Sequence, residues 1–140
     1  MIKGDVEEII MPKFSAISRE RLESCDPRLQ AVFNEVVKYF DCAILEGHRG
    51  QALQDLYFRQ MKSKIKWPNG EHNSIPSKAV DAMPFPVNWK DTNRLCYFAG
   101  FIVGIADHMG IKIRWGKDWD GDRDLNDQTF NDGPHFEVVD

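Results

Sequence analysis

Two histidines and one aspartate, His72, Asp81 and His135, are the residues of this chain best suited to do chemistry together. Asp81 lies in the apolar stretch "KAVDAMPFP". A carboxylate in such a setting is rarely buried without a partner, and a dication is one such partner. Imidazole nitrogen and carboxylate oxygen are donors that zinc takes readily. A catalytic zinc uses three protein ligands and keeps one position for water. "HNSIPSKAVDAMPFP" puts His72 in a loop just before a short strand that carries Asp81. Pro76 lets the intervening segment fold back, so both side chains can meet one ion. Taken singly, each has an ordinary alternative: His72 as a solvated loop histidine, Asp81 as a hydrogen-bonded structural carboxylate.

"FNDGPHFE" supplies the next group. His135 starts the last strand, and Asp132 precedes it across a Gly-Pro turn. That placement suits a carboxylate that sits beside a metal-activated water without binding the metal. Zinc lowers the pKa of its water toward ~7, and a neighbouring carboxylate can take the proton and pass it on. Glu137 shares a strand face with His135 and can orient the imidazole. A surface salt bridge is the commoner role for a glutamate and is the expectation for it. Arg49, in "LEGHRG", ends a strand, where a guanidinium can bind a substrate carboxylate or a developing oxyanion; solvated Arg is the ordinary alternative. His48 should face the other way. His108 falls in the last turn of a long helix, where a cation suits the dipole, and reads as structural.

"KDWDGDRDLND" places Asp118, Asp120, Asp122 and Asp124 at alternate positions, a spacing that suits calcium. The EF-hand pattern fails, with neither its Gly nor its closing Glu in place. A solvated acidic loop is the commoner reading. Trp115 and Trp119 flank the segment and are expected to pack on the sheet, with lining a peptide groove as the alternative.

The elements that must position these groups follow from periodicity. The 140 residues suit one domain and one core, with residues 1–14 as an N-terminal arm. Ser18 is expected to cap a short helical turn. Asp26-Pro27 reads as N-cap and first residue of an amphipathic helix running to Phe40. "CAILEG" is a short strand and "GQALQDLYFRQM" a helix; residues 62–77 form a long polar loop. "KAVDAM" is a strand, Asp91 opens a long helix stopped by Gly110, and "IKIRW" and "HFEVV" are strands separated by the loop 116–134. No βαβ rhythm is present. The fold class expected is α+β, a small and mainly antiparallel sheet packed against helices.

Composition narrows the function. Hydrophobic residues make up 42% and charged residues 29%, which suits a folded domain. A net charge of −4 without a dense basic cluster argues against nucleic acid as a partner. No run approaches the ~20 apolar residues that span a bilayer, so no membrane insertion is expected. "MIKGDVEEIIMPKF" lacks a signal-peptide pattern, which predicts a cytoplasmic protein with a separate release route for any work outside. Cys25, Cys42 and Cys96 form neither a disulfide framework nor a CxxC knuckle and read as free thiols.

"HNSIPSKAVDAMPFPVNW", "FAGFIVGIADHMGIKIRWGKDWDGD" and "FNDGPHFE" together resemble the L-alanyl-D-glutamate peptidases of bacteriophage endolysins. That group is related to the zinc D-alanyl-D-alanine carboxypeptidases and shares a fold with the Hedgehog signalling domain. The resemblance runs from about Ile17 to Val138. It implies His72, Asp81 and His135 as zinc ligands, Asp132 as catalytic acid/base and Arg49 as the carbonyl-polarising cation. It implies a peptidoglycan stem peptide as substrate, a monomer, and residence in the host cytoplasm until release to the cell wall. Calcium regulation through acidic loops is a further implication. In the wider group the first His and the Asp stand closer together; here eight residues intervene, and Ser74 holds the shorter-spacing position.

The expected activity is therefore zinc-dependent hydrolysis of the L-Ala–D-Glu bond. Three rivals remain: a D-alanyl-D-alanine carboxypeptidase using the same site, a metal-stabilised binding module without turnover, and a calcium-binding interaction domain built around Asp118 to Asp124. A purely structural zinc prefers four protein ligands, and no cysteine is spaced to supply a fourth.

Overall fold

Asp26-Pro27 begins a helix as its chemistry requires. The Asp26 side chain accepts the Arg28 N–H at 2.9 Å, and proline fills the first turn, where no donor is needed. The computed structural model describes residues 11–140 and is mixed α+β. Its helices are α1 (Ala16–Glu23), α2 (Pro27–Val36), α3 (Gln51–Arg59) and α4 (Thr92–His108). Its strands are β1 (Cys42–Glu46), β2 (Ala79–Pro84), β3 (Ile113–Trp115) and β4 (His135–Val138). All strand pairs are antiparallel, in the order β1-β2-β4-β3.

Three local expectations change. Ser15, not Ser18, caps α1; Ser18 lies inside the helix, buried, and its hydroxyl accepts the Ile44 N–H of β1 at 3.0 Å. α2 stops at Val36, and a tight turn carries Phe40 to α4, where its ring meets Phe98 at 5.1 Å. Most of the N-terminal arm lies outside the described residues, but its end is packed, because Phe14 joins the core. Gly110 adopts φ +74 just past α4, the left-handed stop that glycine provides.

The core lies between the sheet and helices α1, α2 and α4. Phe136 is its centre, with the Phe33 ring at 5.7 Å, Phe98 at 6.2 Å and Trp115 stacked at 6.4 Å. Successive strand residues point to opposite faces. Val80, Ala82, Phe136 and Val138 therefore join the core. Asp81, His135 and Glu137 project from the other face into a cleft.

Candidate functional site

β2 and β4 pair so that Asp81 stands directly opposite His135. His72 comes from a single 3-10 turn, Glu71–Asn73, within the long loop before β2. One donor atom from each of the three lies within 4.8 Å of the others. His72 Nε2 is 3.1 Å from Asp81 Oδ1, and His135 Nδ1 is 3.6 Å from the same oxygen.

The outer nitrogens of both rings are committed. His72 Nδ1 lies 2.8 Å from the Gly47 carbonyl, which can only accept, so that nitrogen carries the hydrogen. His135 Nε2 lies 2.7 Å from the Glu137 carboxylate and likewise donates. Two imidazole lone pairs and a carboxylate oxygen are thus aimed at one another, an arrangement that only protons or a cation can reconcile. A tetrahedral zinc with bonds of ~2.0–2.1 Å sets its ligand atoms about 3.3 Å apart, and the two distances above bracket that value. The residues fit a metal.

Electrostatics follow the same geometry. Burial works to raise Asp81, but hydrogen bonds from His135 and His72 outweigh it and hold the carboxyl well below the usual carboxylate range. Burial works to lower His135, yet Asp81 and Glu137 hold its pKa up at about 9 in the metal-free protein. Asp132 sits beside the triad, with Oδ2 3.9 Å from His135 Nδ1. Its pKa is raised by burial and then by the charge of Asp81. Its backbone is held against Gly116: a Cβ added there would come within 2.0 Å of the Asp132 carbonyl.

Arg49 also reaches the cleft, on a tight scaffold. Its guanidinium donates to both carboxylate oxygens of Glu46, at 2.5 and 3.1 Å, and to Gln54 Oε1 at 3.0 Å. It lies 4.8 Å from the Tyr57 ring centre. Gln54 is fully buried in α3, while Leu53 and Leu56 on the same helix are exposed. Asn73 donates to Gln54 and to the Arg49 carbonyl, tying α3 to the turn that carries His72. These supports were missed in the sequence, where a Gln among leucines reads as a solvated face.

Other residues sort plainly. Glu137 is buried, not a surface ion pair; its link to Arg114 is a looser 3.6 Å. Trp115 packs in the core as expected, whereas Trp119 lines the cleft, 5.4 Å from the His135 ring and stacked on Phe130. Ser74 stays in its turn, its hydroxyl bonded to the Pro76 carbonyl and the Lys78 N–H. His48 bonds the Ser74 carbonyl, and His108 closes α4. Asp118, Asp120 and Asp122 gather within 4.8 Å on the exposed loop. Asp124 is outside that group and accepts from Asn126. Asp118 Oδ1 is buried with no hydrogen-bond partner. Burial pushes the Cys25 and Cys42 thiols up to about 12, so they are inert.

A small antiparallel sheet, two imidazoles and a carboxylate that could hold a metal ion, and a second carboxylate lining the same cleft of about 580 Å³ are what a metal-dependent hydrolase requires. Residues 10–139 match the family described as phage L-alanyl-D-glutamate peptidase, and the chain belongs to that family. It is 27% identical over 135 residues to the L-alanyl-D-glutamate peptidase of Escherichia phage T5, covering 91% of this chain and 98% of that one. The crystal structure of the Serratia marcescens L-Ala D-Glu endopeptidase ChiX superposes with a TM-score of 0.74 at 28% identity, covering 96% of this chain and 93% of that one. No helix among the described residues is long and apolar enough to cross a membrane.

Proposed function

We propose that this chain is a single-domain zinc endopeptidase that cuts peptidoglycan stem peptides between L-Ala and D-Glu, in the service of bacterial lysis. The observation that carries the reading is the convergence of His72 Nε2, Asp81 Oδ1 and His135 Nδ1, with Asp132 beside them. The family and both relatives support the choice of bond. Zinc rather than another dication is favoured by a donor set of two nitrogens and one oxygen.

Zinc bound there would supply a Lewis acid for the scissile carbonyl and lower the pKa of water. The chain's own residues do the rest. The Gly47 carbonyl and Glu137 fix the tautomer and tilt of the two rings. Asp132, 3.9 Å from His135 Nδ1, is placed to take the proton of the attacking water and deliver it to the leaving amine. Arg49 commits three of its five N–H donors to Glu46 and Gln54, which leaves two to meet a developing oxyanion.

Digestion of purified murein, with the new termini read by mass spectrometry, tests the reading. New C-terminal L-Ala and N-terminal D-Glu are expected, and Asp132→Asn should keep zinc while losing at least about 100-fold in rate. Release of terminal D-Ala alone would make the protein a carboxypeptidase. Zinc binding without cleavage would make it a binding module.

The orphaned Asp118 Oδ1 favours a second metal, calcium, held by Asp118, Asp120 and Asp122. Calcium should raise the thermal midpoint of the wild type and not that of Asp118→Asn.

A further inference from the structure

The cleft that holds the triad is also lined by two lysines with no ion-pair partner among the described residues. Lys62 and Lys64, on the loop after α3, both line the cleft. Neither takes part in an ion pair among the described residues, whereas Arg49, also in the cleft, donates to both carboxylate oxygens of Glu46. Each ammonium instead rests over a ring: Lys62 Nζ is 5.7 Å from the Tyr57 centre, and Lys64 Nζ is 4.9 Å from that of Phe130. Phe130 stacks on Trp119 at 6.0 Å, and Trp119 covers His135 at 5.4 Å. Lys64 therefore rests on a run of rings, Phe130 then Trp119, that ends at His135.

A ring face positions an ammonium without using its N–H donors, and a carboxylate is the stronger partner for those donors. Elsewhere in the cleft the charges are already engaged, Arg49 by Glu46 and Asp81 and Glu137 by the two histidines, while Glu71 and Asp132 add negative charge. The bond proposed above forces an anion into this cleft. A glutamyl residue joined into a chain through one carboxyl keeps its other carboxyl free and charged.

We infer that Lys62 and Lys64 form the specificity site for the free carboxylate of the glutamyl residue that follows the scissile bond. The inference rests on the endopeptidase reading of the cleft. Pairing with the lysines anchors the residue after the scissile bond and so fixes which way the peptide runs past the triad. The two rings hold the ammonium groups ready, which reduces the ordering cost when the carboxylate arrives.

The test compares zinc-loaded wild type with Lys62→Met, Lys64→Met, the double variant and Lys64→Arg. Each is assayed on two stem peptides amidated at the C-terminus, one with the glutamyl carboxylate free and one with it amidated. Amidating the C-terminus removes the chain-terminal carboxylate as a competitor for the lysines. The wild type should prefer the free carboxylate by about tenfold in kcat/KM, mainly through KM. The preference should fall toward unity in the double variant and return largely in Lys64→Arg, with raised salt weakening it. Equal cleavage of both peptides by the wild type would overturn the inference and leave the endopeptidase reading standing. A preference that survives in the double variant would assign it to other residues. No cleavage of either peptide would overturn the endopeptidase reading itself, and the inference with it.

Discussion

Glu137 is the residue whose removal most directly tests the geometry of the triad. Its carboxylate accepts the His135 Nε2 hydrogen at 2.7 Å, and the His135 side chain is only 9% exposed. In Glu137→Ala that donor has no acceptor and little water, a cost of about 1–3 kcal/mol in stability. The ring is also free to rotate, and its Nδ1 no longer points at Asp81. Loss of such an outer partner lowers metal affinity by about 10- to 100-fold, or roughly 1.4–2.7 kcal/mol. Glu137→Gln keeps an acceptor oxygen but not its charge, and a neutral bond is about half as strong. The expected loss there is about threefold.

Arg114 is the control, because it touches Glu137 at 3.6 Å and is 39% exposed. A half-exposed ion pair contributes at most about 1 kcal/mol, so Arg114→Ala should lower zinc affinity no more than about fivefold, well short of the upper end for Glu137→Ala. Competition with a chromogenic chelator measures all four affinities, and circular dichroism checks the fold. A folded Glu137→Ala protein with wild-type zinc affinity would show that the His135 ring is held by packing alone, and the argument from the hydrogen bond would be wrong.

Two further expectations follow from the structure. His72→Ala should lose zinc on dialysis while Ser74→Ala retains it, because the Ser74 hydroxyl is spent on its own turn; the reverse result in metal analysis would reassign the ligand. Asp26 is held below its usual 3.8, chiefly by the hydrogen bond from Arg28, so its contribution to stability is present above pH 3.8 and is lost as the pH falls through the lower folded value. Asp26→Asn keeps an N-cap oxygen, so its thermal midpoint should fall less than that of the wild type in that acid range; parallel pH curves would refute the assignment.

The sequence was most legible where one period ran long enough. α4 shows its apolar stripe and its glycine stop, and β2 and β4 carry the two motifs that hold Asp81 and His135. Glu46 was hidden by a bulge. Cys42 and Ile44 join the core, so strict alternation would send Glu46 there too. The register slips between Ile44 and Glu46, which brings Glu46 opposite Asp81 on the cleft face, where it holds Arg49. Glu137 was misjudged for a different reason. Strand pairing places β4 between β2 and β3, and no property of "HFEVV" announces an interior strand buried on both faces. Gln54 was missed because its partners, Arg49 and Asn73, come from segments that meet it only in the fold.

The apolar face of the sheet is what makes the polar face possible. Without a metal the triad is reconciled by a proton on buried His135, and taking that charge pair out of water offsets much of what the pairing returns, so the triad is a weak force for drawing β2 and β4 together. Val80 pairs with Phe136 one step along from the Asp81–His135 pair, and both are fully buried. Burying a side chain such as Phe136 contributes roughly 1.5–3 kcal/mol. A slip of one residue between these strands would turn Phe136 into the cleft and His135 into the core. The register that buries the phenylalanine is therefore the only one that sets the aspartate opposite the histidine. The metal-capable geometry is thus fixed by hydrophobic burial before any ion arrives.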